Sequence, residues 1–359
     1  MFLPTTIQEL ESLGWDKPDI ILISGDIYID CPYDGIAVIG KYLLHNGFRT
    51  AVIAQPDVSD TKDISRLGEP RLFWGVSAGC VDSMTANYTA LQKKKRSDDL
   101  TPGGTNNRRP DRASIVYTNL IKHAFKNTVP VVLGGIEASL RRIAHYDYMQ
   151  NKVRRSILLD AKADYLIYGE GERTVLQLAE KLRNKKRADV IRHSEPASKS
   201  KIICHSELVS ESPTICHSEL VSESLIDDIP GLCYISSEKK DGYLELPSFE
   251  SVKNDKKSFN EMCAAFYKNN DPISAKGLQQ AYQNRFLIHN PPQPYLEGTE
   301  LDRIFSFDYE WDAHPFYKKQ GKIKALETIR YSVITHRGCY GECNFCAIAV
   351  HQGRKIRSR

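Results

Sequence analysis

Apolar positions along the first half of the chain fall into short runs that close on glycine or an acidic residue. Asp19-Ile20-Ile21-Leu22-Ile23-Ser24-Gly25-Asp26 is one, Thr50 to Ala54 a second, and Val129-Pro130-Val131-Val132-Leu133-Gly134-Gly135 a third. Ala163-Asp164-Tyr165-Leu166-Ile167-Tyr168-Gly169-Glu170-Gly171-Glu172 is a fourth. Runs apolar at nearly every position predict strands buried on both faces, as in parallel sheets. Between the first two, Gly35 to Asn46 sets Ile36, Ile39, Leu43 and Leu44 on one helical face, and Gly47 ends the helix. Ile115-Val116-Tyr117 opens a further segment, and a helix is predicted from Thr174 to Leu182. Alternation of strand and helix predicts an α/β domain with an open, mostly parallel sheet over residues 1–188. Ligands on such sheets bind at the carboxyl ends of strands, which makes Asp26, Ser77, Gly134, Gly135, Gly169 and Glu170 candidate rim residues. For the glycines the plainer reading is tight turns, and it is preferred.

The texture changes after residue 188. Ile191 to Ile202, Ile203 to Thr214 and Ile215 to Ile226 are three copies of a twelve-residue unit, the last two nearly identical. Residues 189–228 are therefore expected to be a low-complexity repeat inserted in a surface loop, where added length costs little. Its Cys204-His205 and Cys216-His217 pairs are explained by duplication. Residues 229–328 read as an irregular linking segment with helical patches at Ser258 to Lys268 and Ala275 to Gln283. The run Tyr331-Ser332-Val333-Ile334-Thr335 then looks like a strand.

Composition narrows the class only modestly. Over 359 residues the chain is 41% hydrophobic and 26% charged with a net charge of +4. These values fit a globular protein and imply no bulk attraction to nucleic acid or membrane. No apolar run is long enough to cross a bilayer, and the start Met1-Phe2-Leu3-Pro4 is not a signal peptide. A cytoplasmic location is expected. The basic groups Lys93 to Arg96, Arg108-Arg109, Arg141-Arg142 and Arg154-Arg155 could hold phosphates, but read better as solvated faces. Arg141, Arg142 and His145 are set apart, because they follow the Gly134-Gly135 turn and would start a helix near the sheet's rim.

Candidate chemistry concentrates at Cys339-Tyr340-Gly341-Glu342-Cys343-Asn344-Phe345-Cys346. The spacing Cys-x-x-x-Cys-x-x-Cys on one short loop lets three thiolates face one 4Fe–4S cluster. Such clusters normally take four cysteines, so one iron is left for a small molecule. Phe345 would form an apolar wall beside that iron. A zinc site completed by His336 or His351 is the main alternative, and a disulfide is the weakest.

This loop resembles the signature of the radical S-adenosylmethionine superfamily. The resemblance extends through Met1 to Thr6, Arg96 to Asp99, Arg109 to Ala113, Gly134 to Arg142, His145 to Tyr148 and His336 to Arg354, which look like YgiQ-type members. Glu342 departs from the glycine common there. The Gly-Gly and Gly-Glu-Gly-Glu turns also resemble a Rossmann-like, cobalamin-binding-like domain. Its histidine loop is matched here by Asp30-Cys31-Pro32-Tyr33-Asp34-Gly35, which has no histidine.

The resemblance implies Cys339, Cys343 and Cys346 as ligands of a 4Fe–4S cluster, S-adenosylmethionine on the fourth iron, and reductive cleavage to a 5′-deoxyadenosyl radical. It also implies an external flavodoxin- or ferredoxin-type electron donor and an unassigned substrate. Cobalamin stays open but not favoured, at a low-ranked sheet-rim site of Gly134, Gly135, Gly169 and Glu170. Residues 329–359 would begin a (β/α) barrel, which needs on the order of 200 residues. The chain is therefore expected to be an N-terminal fragment. The rival readings are a non-catalytic nucleic-acid-binding module with a structural zinc loop, and an inactive gene fragment.

Overall fold

The computed structural model describes residues 1–194, 226–341, 343 and 345–359. Strands β1 (Ile20–Ser24), β2 (Thr50–Ala54), β3 (Phe73–Ser77), β4 (Val131–Gly134) and β5 (Tyr165–Ile167) form a continuous parallel run of one sheet. The register sets Ile20 opposite both Thr50 and Phe73. Every residue of β1 and β2 is buried, because helices cover both faces.

On one face Ile21, Ile23, Trp74, Val131 and Leu133 pack with Tyr117 and Ile121 of α2 (Ala113–Ala124). On the other, Ile20, Leu22, Val52, Phe73 and Val132 pack with α1 (Gly35–His45) and α4 (Glu172–Ser194), the latter through Val175, Leu178 and Ala179. The short helix α3 (Gly135–Leu140) springs directly from β4. These layers confirm the mostly parallel α/β sheet.

The segment expected to be irregular is corrected by four more strands of the same sheet. These are β6 (Leu232–Ser236), β7 (Leu244–Leu246), β8 (Leu278–Tyr282) and β9 (Arg285–His289). The nine strands run β7-β8-β9-β6-β5-β4-β3-β1-β2. β6 is antiparallel to β5 and β9, and β9 to β8. The stretch expected as helix from Ala275 to Gln283 is thus largely strand. Gln279 and Gln280 are buried there, and Gln280 accepts from Ala144 N and Tyr282 Oη through Oε1. Tertiary partners of this kind override the helix-favouring composition. The other helical patch is present within α5 (Lys256–Lys268), capped by Asp255.

Tyr331 to Thr335 is not a strand. Tyr331 and Val333 are 87% and 72% exposed, and among the described residues no strand pairs with this run. Just after it, His336–Arg337 pairs antiparallel with Arg357–Ser358. The twelve-residue repeats lie almost wholly outside the described residues. Among those described, no helix is long and apolar enough to cross a membrane.

Candidate functional site

Strand order reverses at β1: the chain moves from β1 to β2 on one side and then returns to β3 on the other. Loops leaving the carboxyl ends of β1 and β3 therefore part company, and a crevice opens between them. The two loops touch at their bases. A Cβ on Gly25 would lie 2.2 Å from Ala78 O, so only glycine allows this approach. Beside it, Asp26 accepts from Cys80 N at 2.6 Å and pairs with Arg109, which also holds Asp98 at 3.1 Å. Burial pushes the Asp26 carboxyl up, with the Arg109 guanidinium opposing it. At 1% exposure Asp26 is committed to this network rather than to a ligand.

The other rim candidates meet. Ser77, Gly134, Gly135, Gly169 and Glu170 line one cavity of about 450 Å³. Its floor is the apolar sheet face carrying Leu22, Phe73, Val132 and Ile167, and α1 and α4 wall it with Ile36, Ile39 and Val175. Gly135 and Gly169 have φ of +80° and +73°, so the turn reading accounts for both. Gly134 is different. Its backbone is extended, and a Cβ there would meet nothing within 4 Å.

Residues flanking the cysteine loop complete the cavity: Ile334, His336 and Arg337 before it, His351 and Gln352 after it. Both stems are anchored to the loops and helix starts at the carboxyl end of the sheet. Arg337 Nη1 lies 2.7 Å from Glu172 Oε1, and Arg357 binds both oxygens of Glu170 at 2.5 Å. His351 Nδ1 is 3.0 Å from Ser139 Oγ, and Asn270 Nδ2 donates to Val350 O at 3.2 Å. Burial pushes Glu170 up, and the arginines pull against it. Burial also drives His351 down to about 4, with Arg142 adding to the effect. Asp34 caps α1, accepting from Ile36 N at 3.1 Å and Ile29 N at 3.2 Å, and its burial lifts the carboxyl to about 8.

On the loop, Cys339, Cys343 and Cys346 are free thiols, with Cys343 exposed and the others half-buried. Gly341 lies between two of them: a Cβ there would be 3.4 Å from Cys339 Sγ and 3.6 Å from Cys343 Sγ. Cys346 N donates to Cys343 O at 2.9 Å. Three free thiols on one loop match the donor set of a thiolate-ligated cluster. Among the described residues, no three His, Cys, Asp or Glu side chains are gathered closely enough to hold a metal ion. Phe345 is 94% exposed and walls nothing among the described residues.

The basic groups need a correction. Arg109 and Arg142 are buried at 4% and 0% exposure, not solvated. Arg142 donates to His289 Nε2 at 2.8 Å and stacks between Tyr168 and Phe266. Sequence reasoning missed Glu172, Arg337 and Arg357 as a set, because their pairing spans 165 residues or more of chain. The only signal was the repeated acid in Gly-Glu-Gly-Glu.

A doubly wound α/β domain whose crevice is roofed by the segments flanking a cysteine loop defines the class of this protein. The family described as Radical SAM N-terminal matches residues 2–332, and the chain belongs to it. The matched residues end ahead of the cysteine loop. Curated relatives are UPF0313 proteins. That of Fusobacterium nucleatum subsp. nucleatum is 50% identical over 359 residues, covering 100% of this chain and 56% of the relative. That of Thermotoga maritima is 45% identical, covering 100% and 57%, and that of Methanocella arvoryzae is 43% identical, covering 99% and 53%. The chain thus spans about half the length of these relatives. Among solved structures, the radical S-adenosylmethionine methyltransferase TsrM of Kitasatospora setae, with cobalamin and a 4Fe-4S cluster bound, is similar at a TM-score of 0.45. Identity there is 14%, covering 96% of this chain and 43% of that one. A likeness that distant supports no inference about ligand or activity.

Proposed function

We propose that this chain is the N-terminal part of a YgiQ-type radical S-adenosylmethionine enzyme, with Cys339, Cys343 and Cys346 as the cluster ligands. The observation that carries the reading is the Cys-x-x-x-Cys-x-x-Cys loop held by two anchored stems at the carboxyl end of the family's sheet. When bound, the cluster supplies the single electron that cleaves S-adenosylmethionine to methionine and a 5′-deoxyadenosyl radical. The chain's own residues supply thiolate donors and position them through Arg337 and Arg357. Electrons come from a flavodoxin- or ferredoxin-type donor, and the substrate is unassigned. Cobalamin is not part of this reading. In the stretch matching its histidine loop, Asp30 pairs with Lys41 at 3.1 Å and Asp34 caps a helix.

Anaerobic iron–sulfur reconstitution tests the ligands. The full chain is expected to take up about four irons, and Cys343→Ala far fewer. Equal uptake by the variant, or zinc in the chain as isolated with no displacement by iron, refutes the assignment.

A further inference from the structure

Away from the crevice, two surface segments meet. Both arise at the carboxyl end of the sheet, one in the stretch after β3 and the other after α3. In the first, Tyr88 pairs antiparallel with Lys94, and Gln92 N donates to Thr89 O at 2.9 Å, closing a tight loop. The second is the hairpin of His145–Asp147 and Lys152–Arg154. Tyr148 Oη donates to Ala90 O, and Gln92 Nε2 donates to Tyr148 O at 3.4 Å, so hairpin and loop form one face.

That face carries two unlike ingredients. Tyr146 and Tyr148 are 50% and 47% exposed on either side of buried Asp147, because alternate residues of an extended segment point the same way. Their hydroxyls are engaged, Tyr146's with Asn151 Oδ1 at 2.5 Å and Tyr148's with Ala90 O, so they offer ring surface to the outside. Beside them, Lys93, Lys94 and Arg96 are exposed and enter no ion pair among the described residues. The neighbouring acids are committed elsewhere: Asp98 to Arg109, Asp99 to Lys324, Asp111 to Tyr88 and Asp147 to Arg112. The patch is therefore locally positive, although the net charge of the chain is only +4.

We propose that this face binds single-stranded RNA, with bases stacked on Tyr146 and Tyr148 and phosphates on Lys93, Lys94 and Arg96. Aromatic platforms beside unpaired cations are the two elements that single-strand binding uses. A duplex hides its base faces, whereas RNA loops and bulges present unpaired ones. An acidic protein would answer the lysines but has no repeating flat groups for the two held rings. RNA binding here is independent of the cluster.

Fluorescence anisotropy with the iron-free full chain and a labelled RNA strand of about fifteen nucleotides tests this. Failure of the cluster assignment leaves the result readable. A dissociation constant on the order of 10 µM is expected, with log K falling against log salt at a slope of about −2 to −3. Tyr146→Ala/Tyr148→Ala should weaken binding about tenfold or more without changing that slope. Tyr148→Phe, which keeps the ring, should bind like the parent. Lys93→Gln/Lys94→Gln should reduce the slope by about one. The duplex of the same sequence should bind more weakly than the single strand. No binding of the strand, equal binding of the duplex, or parent-like affinity of the double tyrosine variant overturns the inference. Binding of an acidic flavodoxin-type protein in place of RNA, lost in Lys93→Gln/Lys94→Gln, also overturns it and makes the face a donor-docking surface. Circular dichroism checks folding of each variant. If the tyrosine variant does not fold, the lysine pair decides, and an unchanged slope there overturns the inference.

Discussion

Arg337 and Glu172, 165 residues apart, form a 2.7 Å ion pair that ties the entry to the cysteine loop to the first turn of α4. Both side chains are largely buried, at 11% and 4% exposure. Removing one member strands the other, so Arg337→Met should destabilise by about 3 kcal/mol. The double variant Arg337→Met/Glu172→Gln should recover much of that loss. Urea denaturation of the four proteins completes the cycle, and additive losses would refute the pairing.

The same reasoning applies beneath the chain's amino terminus. Lys41 and Asp30 are both fully buried, 3.1 Å apart, and Lys41 also donates to the main-chain oxygens of Met1 and Asp308. Lys41→Met should cost about 3–5 kcal/mol, more than Asp30→Asn, which keeps a neutral hydrogen-bonding group beside the ammonium. Thermal melts rank the two. The reverse order would show that Asp30, not Lys41, carries the structural role.

Three histidines set an acid limit. Burial holds His145 and His351 at about 4 and pushes His289 well down, so all three stay neutral in the fold. Between roughly pH 6.5 and 4 the unfolded chain binds protons that the native one refuses. Stability should therefore rise with pH across that window. His351→Gln should flatten part of the slope, as read from melting temperature against pH.

Asp34 acts in the opposite sense. Its folded pKa of about 8 stands above the unfolded value, so the native state holds a proton that the unfolded chain releases. That contribution is lost progressively as pH rises from about 4 to 8. Asp34→Asn retains a capping oxygen for α1 but cannot ionise. It should gain stability relative to the parent at pH 8 and show no gain at pH 4.

Gly25→Ala should be among the most damaging single-methyl changes in the chain. The added carbon would sit 2.2 Å from a main-chain oxygen, and neither loop is free to withdraw while Asp26 holds Cys80 N and Arg109. Expression and melting temperature report the outcome, and a parent-like melt would refute the close approach.

How far the sequence could be read follows from where the stabilising contacts lie. β1, β2, β4 and β5 were legible because burial on both faces leaves an apolar residue at nearly every position. β8 was not: Leu278-Gln279-Gln280-Ala281-Tyr282 has helical composition, and its glutamines are satisfied by non-local partners, Lys240 N and Tyr243 O for Gln279 and Ala144 N for Gln280. The hairpin from β8 to β9 turns through Gln283 at φ +56°, without the glycine that usually announces such a turn. At the site, the glycines and Glu170 were readable as strand ends. The charge pairs closing the cavity were not, since nothing local in Arg337 or Arg357 marks a partner across the fold. Arg109 and Arg142 misled for a related reason: paired arginines in sequence look alike whether they face water or a buried carbonyl.

The ribbon formed by His336–Arg337 and Arg357–Ser358 has a consequence for cutting the backbone. Each side of the cysteine loop carries its own salt link to the domain, one to Glu172 and one to Glu170. A protease that nicks the chain at exposed Tyr340 or Phe345 would leave two polypeptides still clasped together, migrating as one species until a denaturant parts them.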